Sequence, residues 1–553
     1  MGGVGGGLAI LLWWVFFSRA PWVERLGALV LMIAAPVAAS PFMDKSITTG
    51  AMGMLFPILA VPGLSLAFVA WAVSTQRLSN AVRRATMAAT IILACGVWTL
   101  VRSGGFDSDF KVDLSWRWTP SPEDRLLAQA VNKPAPPPPA AAAIETPEQR
   151  PAAQAVVAPV ALKLTPAAGG SAFEWHGFRG TGRDGVISGS PIKPDWSASP
   201  PVEMWRRPVG PGWSSFAVQG DLFYTQEQRG PDEVVTCYRL STGEPVWTHR
   251  DAARFWEANA GPGPRGTPTL SNGRVYTFGG TGIVNALNAH DGSLVWTRNA
   301  ATDAEAKTPT WGFASSPLVL DDLVIVAVSG RLVAYEIATG GPRWFGPEGG
   351  TSYSSPHLAT IDGVAQILSL NKNGVIGVAP ADGKLLWEHR WPGYPIVQPA
   401  VTADGGVLIS VADNSGTRRL AIERSPSGWT AVERWTSIGL KPYFNDFVVH
   451  EGHAFGFDGA ILACINLEDG KRKWKGGRFG HGQLVLLPGQ NLVLVLSEDG
   501  ELALVGASPN GFTEHARFKA IEGKTWNHPA LAGDVLLVRN GEEMVAFRMT
   551  LAR

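Results

Sequence analysis

A nine-residue segment ending in tryptophan recurs through the C-terminal two-thirds of the chain, and it restricts the possible folds more than any other feature. In each copy a glycine, usually preceded by Thr or Asp, lies four residues before the tryptophan, which is typical of a tight turn between two strands. Glycine supplies the positive φ of such a turn, and the tryptophan gives the returning strand a large apolar face. The clear copies are RLSTGEPVW, NAHDGSLVW, EIATGGPRW, APADGKLLW and NLEDGKRKW, ending at Trp247, Trp296, Trp344, Trp387 and Trp474.

The spacing of these copies indicates the architecture. Two degenerate copies, ending at Trp435 and Phe518, complete the series. Successive tryptophans between Trp247 and Trp474 are 49, 48, 43, 48 and 39 residues apart. A repeat of this length is typical of four-stranded propeller blades.

A second motif, a short polar-to-apolar run before each turn, predicts the innermost strand of each blade. Its eight copies are SSFAV at Ser214, TPTL at Thr267, SSPLV at Ser315, SSPHL at Ser354, QPAV at Gln398, NDFVV at Asn445, GQLVL at Gly482 and NHPAL at Asn527. The chain ends after a third strand of the last blade, so the missing outer strand is expected to be PPVEMWRRP, around Trp205, which would close the ring. The predicted fold class is an all-β eight-bladed β-propeller over residues 171–553.

Residues 1–105 are expected to form a membrane anchor of four transmembrane α-helices. Four apolar runs cover about residues 4–17, 26–40, 51–73 and 85–101. Only the third reaches the ~20 residues of a relaxed span, so the others need flanking residues or a thin bilayer. A signal peptide is disfavoured for the first run, because no Lys or Arg precedes it and three more apolar runs follow.

Charged residues between the apolar runs predict the orientation of the anchor. The first loop holds Arg19 and Arg25, the third holds Arg77, Arg83 and Arg84, and the middle loop holds only Asp44 and Lys45. The positive-inside rule places the first and third loops in the cytoplasm, so both chain ends lie outside. This pattern predicts a multi-pass inner-membrane protein with its propeller in the periplasm or outside the cell.

Residues 106–170 are predicted to join the two parts through a short helix and a spacer. Ser121 can cap a helix whose first turn holds Pro122. From Lys133 to about Gly170 the chain is rich in proline and alanine, a composition that favours an extended, partly stiff spacer. A proline-rich ligand for a partner protein is the alternative interpretation of this tract.

The composition excludes several classes of function. Lys+Arg and Asp+Glu both number 47, so there is no net charge to attract nucleic acid. The three cysteines are too few for a disulfide scaffold, and the ten histidines show no metal-ligand spacing, so no metal ligand is assigned. No grouping of Ser, His and Asp supports nucleophilic catalysis, and no catalytic residue is assigned.

From Trp175 to Arg553 the chain resembles the pyrroloquinoline-quinone (PQQ) propeller family, whose blade motif is a short apolar strand, an acidic or Thr-Gly turn and a tryptophan. The resemblance includes the segment WHGFRGTGRDGVISG at its start. That family contains quinoprotein alcohol and sugar dehydrogenases and also non-catalytic assembly lipoproteins of the BamB type. Membrane-bound quinoprotein glucose dehydrogenases likewise join N-terminal helices to such a propeller, which keeps an enzymatic function open.

The chain departs from the enzymes of that family in several respects. Their alcohol dehydrogenases stack the quinone against a ring formed by two adjacent cysteines, and the chain has no Cys-Cys pair. Their calcium ligands, a Glu, an Asn and often an Asp, with a catalytic Asp alongside, have no match that we can assign. Because the chain has no CxxCH haem motif, electrons would have to pass directly to membrane quinone.

Unusual loops near the inner strands supply a candidate site, because propellers bind ligands at the axial mouth. Basic residues, stacking rings and carboxylates for a cation or a proton would suit PQQ, a tricarboxylate, with calcium. The basic candidates are Arg229, Arg265 and Lys372, the rings are Trp311 and Tyr353, and the carboxylates are Glu227 and Glu257. The alternative is structural: the Arg and Glu residues pair with one another, and the tryptophan seals a seam between blades.

Two functions stay open at this point. The leading prediction is a PQQ-like propeller that acts as a binding or assembly scaffold in the cell envelope, with an envelope protein or surface polymer as partner and no cofactor assigned. The alternative is a PQQ-dependent membrane quinoprotein dehydrogenase that oxidises an alcohol or sugar and passes electrons to quinone. The two differ in whether basic and aromatic side chains converge on a cavity large enough for a tricyclic cofactor.

Overall fold

The computed structural model describes residues 2–18, 20–131, 174–189, 191–412 and 414–552. The predicted Pro/Ala spacer, residues 133–170, lies outside these described residues. The α-helices are α1 Gly2–Leu12, α2 Trp22–Ala39, α3 Lys45–Thr49, α4 Leu55–Ser74, α5 Asn80–Gly96, α6 Pro122–Val131 and α7 Ala300–Asp303. Short π or 3-10 segments are Trp13–Phe17, Ser40–Phe42, Gly50–Gly53, Val97–Thr99 and Pro488–Gln490.

Within the described residues of the N-terminal part, three helical segments are long and apolar enough to cross a membrane, where four spans were expected. They are Trp22–Phe42, Leu55–Ser74 and Asn80–Thr99. The first apolar run forms the shorter helix Gly5–Phe17. At 1.5 Å per residue such a helix extends about 20 Å, which is less than the ~30 Å of a typical hydrocarbon core.

A β-hairpin that the sequence did not predict follows the last of these helices. Its strands are β1 Val101–Phe106 and β2 Val112–Trp116. The predicted short helix, α6, comes next. Its capping is reciprocal: the Asp124 backbone N–H donates to the Ser121 hydroxyl oxygen at 3.0 Å, and the Asp124 carboxylate accepts from the Ser121 N–H at 2.8 Å.

Eight antiparallel sheets of four strands form the propeller, and the first blade carries β3 as a fifth strand. The first strands are β3 Glu174–Trp175, β4 Val202–Pro208, β5 Ala217–Gln219, β6 Leu222–Arg229, β7 Asp232–Arg239, β8 Pro245–Asp251, β9 Trp256–Glu257, β10 Gly261–Pro262, β11 Thr269–Ser271, β12 Arg274–Phe278, β13 Ile283–Asn288, β14 Leu294–Asn299, β15 Leu318–Leu320, β16 Leu323–Val328, β17 Arg331–Glu336 and β18 Pro342–Phe345. They are followed by β19 His357–Ile361, β20 Val364–Asn371, β21 Gly374–Val378, β22 Leu385–Arg390, β23 Ala400–Val401, β24 Val407–Ser410, β25 Thr417–Ser425, β26 Gly428–Ser437, β27 Val448–His450, β28 His453–Asp458, β29 Ile461–Asn466, β30 Arg472–Arg478, β31 Gln483–Leu487, β32 Leu492–Leu496, β33 Glu501–Gly506, β34 Glu514–Lys519, β35 Ala530–Ala532, β36 Val535–Arg539 and β37 Glu543–Arg548. The predicted eight-bladed β-propeller is confirmed.

The recurring tryptophan joins each blade to the next. The indole N–H of Trp296 donates to the carbonyl of Ile337, in the following blade, at 3.0 Å. Its ring lies against the turn glycine Gly340, where a Cβ atom would come within 2.6 Å of the ring. The same indole-to-carbonyl bond to the next blade is made by Trp205, Trp247, Trp344, Trp435 and Trp474. The turn and the ring recur together because each needs its partner in the neighbouring blade.

Trp387 is an exception that follows from the degenerate repeat. Its indole N–H donates within its own blade, to the Gln366 side-chain oxygen at 2.6 Å. The next blade replaces the short glycine turn with the long hairpin of β25 and β26, whose strands have 9 and 10 residues.

The ring closes as predicted, through the strand around Trp205. Strand β4 pairs antiparallel with β37, and Ala546 lies opposite Trp205. The eighth blade therefore combines three strands from the C-terminus with one that precedes the first blade. This closure leaves the last blade without an unpaired outer edge on β37.

One end of the axial channel is filled by residues 176–187. The Arg179 guanidinium donates to the Phe447 carbonyl at 2.8 Å, and the Arg183 guanidinium donates to the Ser316 carbonyl at 3.0 Å. The Ile187 N–H donates to the Leu486 carbonyl at 2.9 Å. Because these acceptors belong to the third, sixth and seventh blades, the segment must pass across the propeller axis.

Candidate functional site

A set of aromatic and imidazole rings surrounds the other end of the channel. Seven of the eight inner-strand motifs have such a ring within the four preceding residues. We call this set the collar. Its members are Trp213, Trp311, Tyr353, Tyr394, Tyr443, Phe444, His481 and Trp526.

The collar rings meet both between neighbouring blades and across an intervening blade. Trp526 lies 4.8 Å from Trp213 and 4.9 Å from Phe444, between ring centroids. Trp311 lies 4.9 Å from Tyr353 and 6.3 Å from Tyr394. The Trp526–Phe444 and Trp311–Tyr394 contacts each skip a blade, so these side chains point toward the axis, and the rings form two arcs around the mouth.

The hairpin of β1 and β2 covers one of these arcs. The Ser108 N–H donates to both Glu498 carboxylate oxygens, at 3.2 and 3.1 Å. Asp109 forms an ion pair with Arg478. The Lys524 ammonium donates to the Gly104 carbonyl at 3.2 Å. The hairpin of β1 and β2 therefore lies on the mouth beside the seventh and eighth blades.

Two further contacts attach the N-terminal part to the same face. The Ala51 N–H donates to the Asn259 side-chain oxygen at 3.1 Å. The Glu123 carboxylate, on α6, accepts from Arg254 at 2.8 and 2.9 Å and from the Gly230 N–H at 2.8 Å. These contacts place the helical part and the axial mouth on one side of the propeller.

A cavity of about 830 Å³ lies between the hairpin and the propeller. Its carboxylates are Asp107, Asp113, Glu123, Glu257, Glu498, Asp499 and Glu542, and its basic residues are Arg102, Lys111, Arg254 and Lys524. Acidic groups therefore outnumber basic groups around it. Such a lining favours a cationic ligand over an anionic one.

Lys524 lies at the centre of this acidic environment. Its ammonium is 4.4 Å from the Trp526 ring centroid and 5.7 Å from that of Trp213, which is cation–π geometry. Burial lowers the pKa of Lys524, while the carboxylates of Asp113 and Glu498 oppose that shift. The mouth thus holds a lysine of its own over two adjacent aromatic rings.

Two of the predicted site residues, Glu227 and Arg229, pair with each other. The distance between the Arg229 guanidinium and the Glu227 carboxylate is 2.8 Å. Glu227 is fully buried and also accepts from the Tyr238 hydroxyl at 2.7 Å. Desolvation would raise the pKa of Glu227, but Arg229 and Arg539 outweigh it and keep the pKa below its usual value. This pairing is the structural alternative anticipated for these residues.

Glu257 and Arg265 also engage neighbouring groups. The Glu257 carboxylate accepts from the Asn259 N–H at 2.8 Å and lies 3.4 Å from the Arg265 guanidinium. Arg265 donates to the Gly261 carbonyl at 2.9 Å. Burial lowers the pKa of Arg265 to about 10. Glu257 is the one predicted residue that lines the cavity.

The remaining predicted residues lie in two different places. Trp311 and Tyr353 stack as one arc of the collar. Lys372 is exposed and lies along Gly350, in the turn of the fourth blade. A role of these seven residues in ligand binding stays a prediction.

Sequence reasoning missed most of the collar and the whole hairpin. Trp213, Tyr394 and Trp526 were not selected, although each stands just before a polar inner-strand motif. That position was the available signal, since the loop before an inner strand opens onto the axis. The hairpin gave no comparable signal, because its partners are more than 300 residues away.

The repeat and the eight closed blades define the propeller as PQQ-like. Residues 231–475 match a family described as outer membrane protein assembly factor BamB. The chain is 23% identical over 343 residues to the outer membrane protein assembly factor BamB of Yersinia pestis, covering 58% of this chain and 74% of that relative. It is 31% identical over 110 residues to the BamB of Shewanella oneidensis, covering 19% of this chain and 25% of that relative.

A solved structure shares the propeller fold. It is a europium-containing methanol dehydrogenase, with a TM-score of 0.51 and 13% sequence identity, and the alignment covers 68% of this chain and 98% of that one. At this identity the likeness concerns the fold alone.

The residues around the mouth do not fit a PQQ and calcium site. The guanidiniums of Arg229 and Arg265 are engaged by Glu227, Glu257 and backbone carbonyls. A tricarboxylate in the cavity would face more carboxylates than basic groups. Within the described residues, no group of three or more His, Cys, Asp or Glu side chains is arranged to hold a metal ion.

Proposed function

We propose that this protein is a membrane-anchored, periplasm-facing propeller that acts as a binding or assembly scaffold in the cell envelope. This proposal rests on the collar, a ring of aromatic side chains at the axial mouth that is half covered by the hairpin of the N-terminal part. Aromatic residues are enriched where proteins bind partners, because they bury large area at low entropic cost. The partner would be an envelope protein.

Similarity to known proteins supports the scaffold. Two curated relatives are named outer membrane protein assembly factors. We infer that this chain takes part in a comparable assembly and is held at the membrane by its own helices.

The anchor is proposed to span the inner membrane with four helices over residues 1–105, followed by the spacer region 106–170 and the propeller 171–553. Gly7 lies against Val61, and the Trp14 ring lies 4.9 Å from Phe68, so α1 runs parallel to α4. If α4 runs from the outside to the cytoplasm, α1 does the same, and both chain ends lie outside. Three spans would leave the propeller on the same side, since they start from the same cytoplasmic loop.

A PQQ-dependent dehydrogenase function is the weaker proposal. It needs free basic side chains to hold a tricarboxylate, and the two arginines predicted for that role are paired. No catalytic step is derived for it.

Site-specific cross-linking tests the scaffold. A photo-reactive residue would replace Tyr394, which is 55% exposed on the collar, and in a control Leu385, which is 44% exposed on an outer strand. In intact cells we expect Tyr394, and not Leu385, to cross-link to one or a few defined envelope proteins. Equal cross-linking from both positions would contradict the proposal. So would saturable binding of PQQ with calcium that Arg265→Ala abolishes.

A further inference from the structure

One arc of the collar is open. The hairpin covers the side of Trp213, His481 and Trp526, whereas Tyr394 is 55% exposed and Tyr443 is 39% exposed. Trp311 and Tyr353 stack behind Tyr394. The open arc therefore presents the rings of Tyr394 and Tyr443 to solvent at the propeller axis.

Glu257, which lines the acidic cavity and lies 3.4 Å from the Arg265 guanidinium, is the carboxylate that acts on the tyrosines of this arc. Burial raises the pKa of Tyr353 and of Tyr443, and in both cases the nearby Glu257 carboxylate and the other tyrosines raise it further. Glu257 lines the cavity that extends from the collar under the hairpin, where acidic groups outnumber basic ones. An anionic group would be repelled here, and a cation would be attracted.

The covered arc already holds a cation. Lys524 places its ammonium over the rings of Trp526 and Trp213, with the Glu498 carboxylate beside them. Glu498 accepts from the Trp526 indole at 2.7 Å, so ring and carboxylate are fixed together. The open arc offers rings of the same kind in Trp311 and Tyr394, and Glu257 is the carboxylate that acts on its tyrosines.

We propose that the open arc binds the cationic side chain of a partner peptide, a segment of an envelope protein that carries lysine or arginine. This inference rests on the proposed scaffold function and specifies the chemistry of its partner. The ring faces attract the cation, and the surrounding carboxylates add a longer-range attraction that salt screens. A neutral glycan would stack on the same rings, but the acidic lining would add nothing to its binding.

Peptide binding to the full-length protein in lipid nanodiscs tests the proposal. Three fluorescent peptides of one length would be compared by anisotropy, with repeated Gly-Lys, Gly-Gln or Gly-Glu. We expect the lysine peptide to bind about 3- to 10-fold more tightly than the glutamine peptide, and the glutamate peptide to bind least. Added salt should weaken binding of the lysine peptide more than binding of the other two peptides.

Variants locate the binding. Trp311→Leu and Tyr394→Leu should each weaken binding of the lysine peptide. Trp429→Leu, on the remote β26 hairpin, should leave that binding unchanged. Lys524→Met should strengthen it a few-fold, because it removes a competing ammonium and a like charge. Circular dichroism would establish that each variant is folded.

Several results would overturn the inference. They are equal binding of the three peptides, no binding of any, no effect of the collar variants, or binding of chitotetraose that the lysine peptide does not displace. If cross-linking from Tyr394 still captures an envelope protein, the scaffold stands and only the cationic partner fails. If cross-linking also fails, both proposals fall.

Discussion

In five blades the turn glycine and the tryptophan of the blade before it act as one packing unit. Gly340 has a φ of +72°, and a Cβ atom there would overlap the Trp296 ring at 2.6 Å. Gly363 has the same φ of +72° but has nothing within 4 Å of a Cβ position. Comparing alanine substitutions at these two glycines therefore separates the cost of backbone strain from the cost of contact with the tryptophan ring.

Gly340→Ala should therefore lower the free energy of unfolding more than Gly363→Ala. Both lose about 1 kcal/mol from positive φ, and Gly340→Ala should lose a further 1–3 kcal/mol from overpacking. Thermal unfolding followed by near-ultraviolet circular dichroism would measure the difference. Equal melting temperatures would show that the ring yields to the new methyl group.

Glu233 should make stability depend on pH. It is buried, and its carboxylate accepts from the Gly280 N–H at 3.1 Å. Burial raises the pKa of Glu233 from 4.5 to about 7, Arg265 opposes the rise, and Asp251 adds to it. Because the folded state holds this proton more tightly, the contribution is full below pH 4.5 and is lost as the pH rises through 7.

Glu233→Gln should remove this part of the pH dependence, worth up to about 3 kcal/mol between pH 5 and 8. The melting temperature of the wild-type protein would be compared with that of the variant at several pH values. Glu348→Gln, whose side chain is 88% exposed, should keep the wild-type slope. A Glu233→Gln slope identical to that of the wild type would contradict the assignment.

Among the elements, the closing strand β4 has the largest expected influence on stability. Its pairing with β37 joins residues more than 300 positions apart, and Trp205 buries its ring against Phe223 at 5.5 Å between centroids. The closure could be predicted from sequence because the last blade lacked an outer strand and one segment upstream carried the matching tryptophan. The extra-long hairpin of β25 and β26 could not be predicted in the same way, because its repeat had lost the turn glycine.

Deletion of residues 201–208 should abolish cooperative unfolding of the propeller. The eighth blade would lose its outer strand, and β37 would expose an unpaired edge. Differential scanning calorimetry of the full-length protein would show a broad, low transition or none. A sharp transition at the wild-type temperature would mean that the ring is held by other contacts.

For the molecule as a whole, the docked hairpin connects the apolar helices to the face of the propeller. The Ala51 to Asn259 bond and the Glu123 to Arg254 pair join the N-terminal part to the axial mouth. The apolar helices and the axial mouth therefore lie on one side of the propeller, and under the proposed membrane anchoring a partner would reach the open arc from the side. This arrangement suits a scaffold that works close to the membrane surface.

Reporter fusions test the orientation of the whole chain. Alkaline phosphatase fused after the C-terminus should be active, because the enzyme needs an oxidising compartment, and a fusion in the loop near Arg77 should be inactive. A cytoplasm-dependent fluorescent protein at the same two positions should give the opposite pattern. Activity of the phosphatase only at Arg77 would reverse the predicted topology.

The sequence by itself determined the blade number, the closing strand and the apolar segments of the N-terminal part. These features are local and periodic: a turn, a ring or an apolar run has the same physical requirement wherever it recurs. Only the tertiary structure decided that Arg229 is used by Glu227, that Trp526 meets Phe444 across the axis, and that the hairpin lies on the mouth. Those outcomes depend on which side chains come within a few ångströms of one another, whether they are distant in sequence or share a strand face. Hydrogen-bonded ion pairs and ring contacts form only at that range.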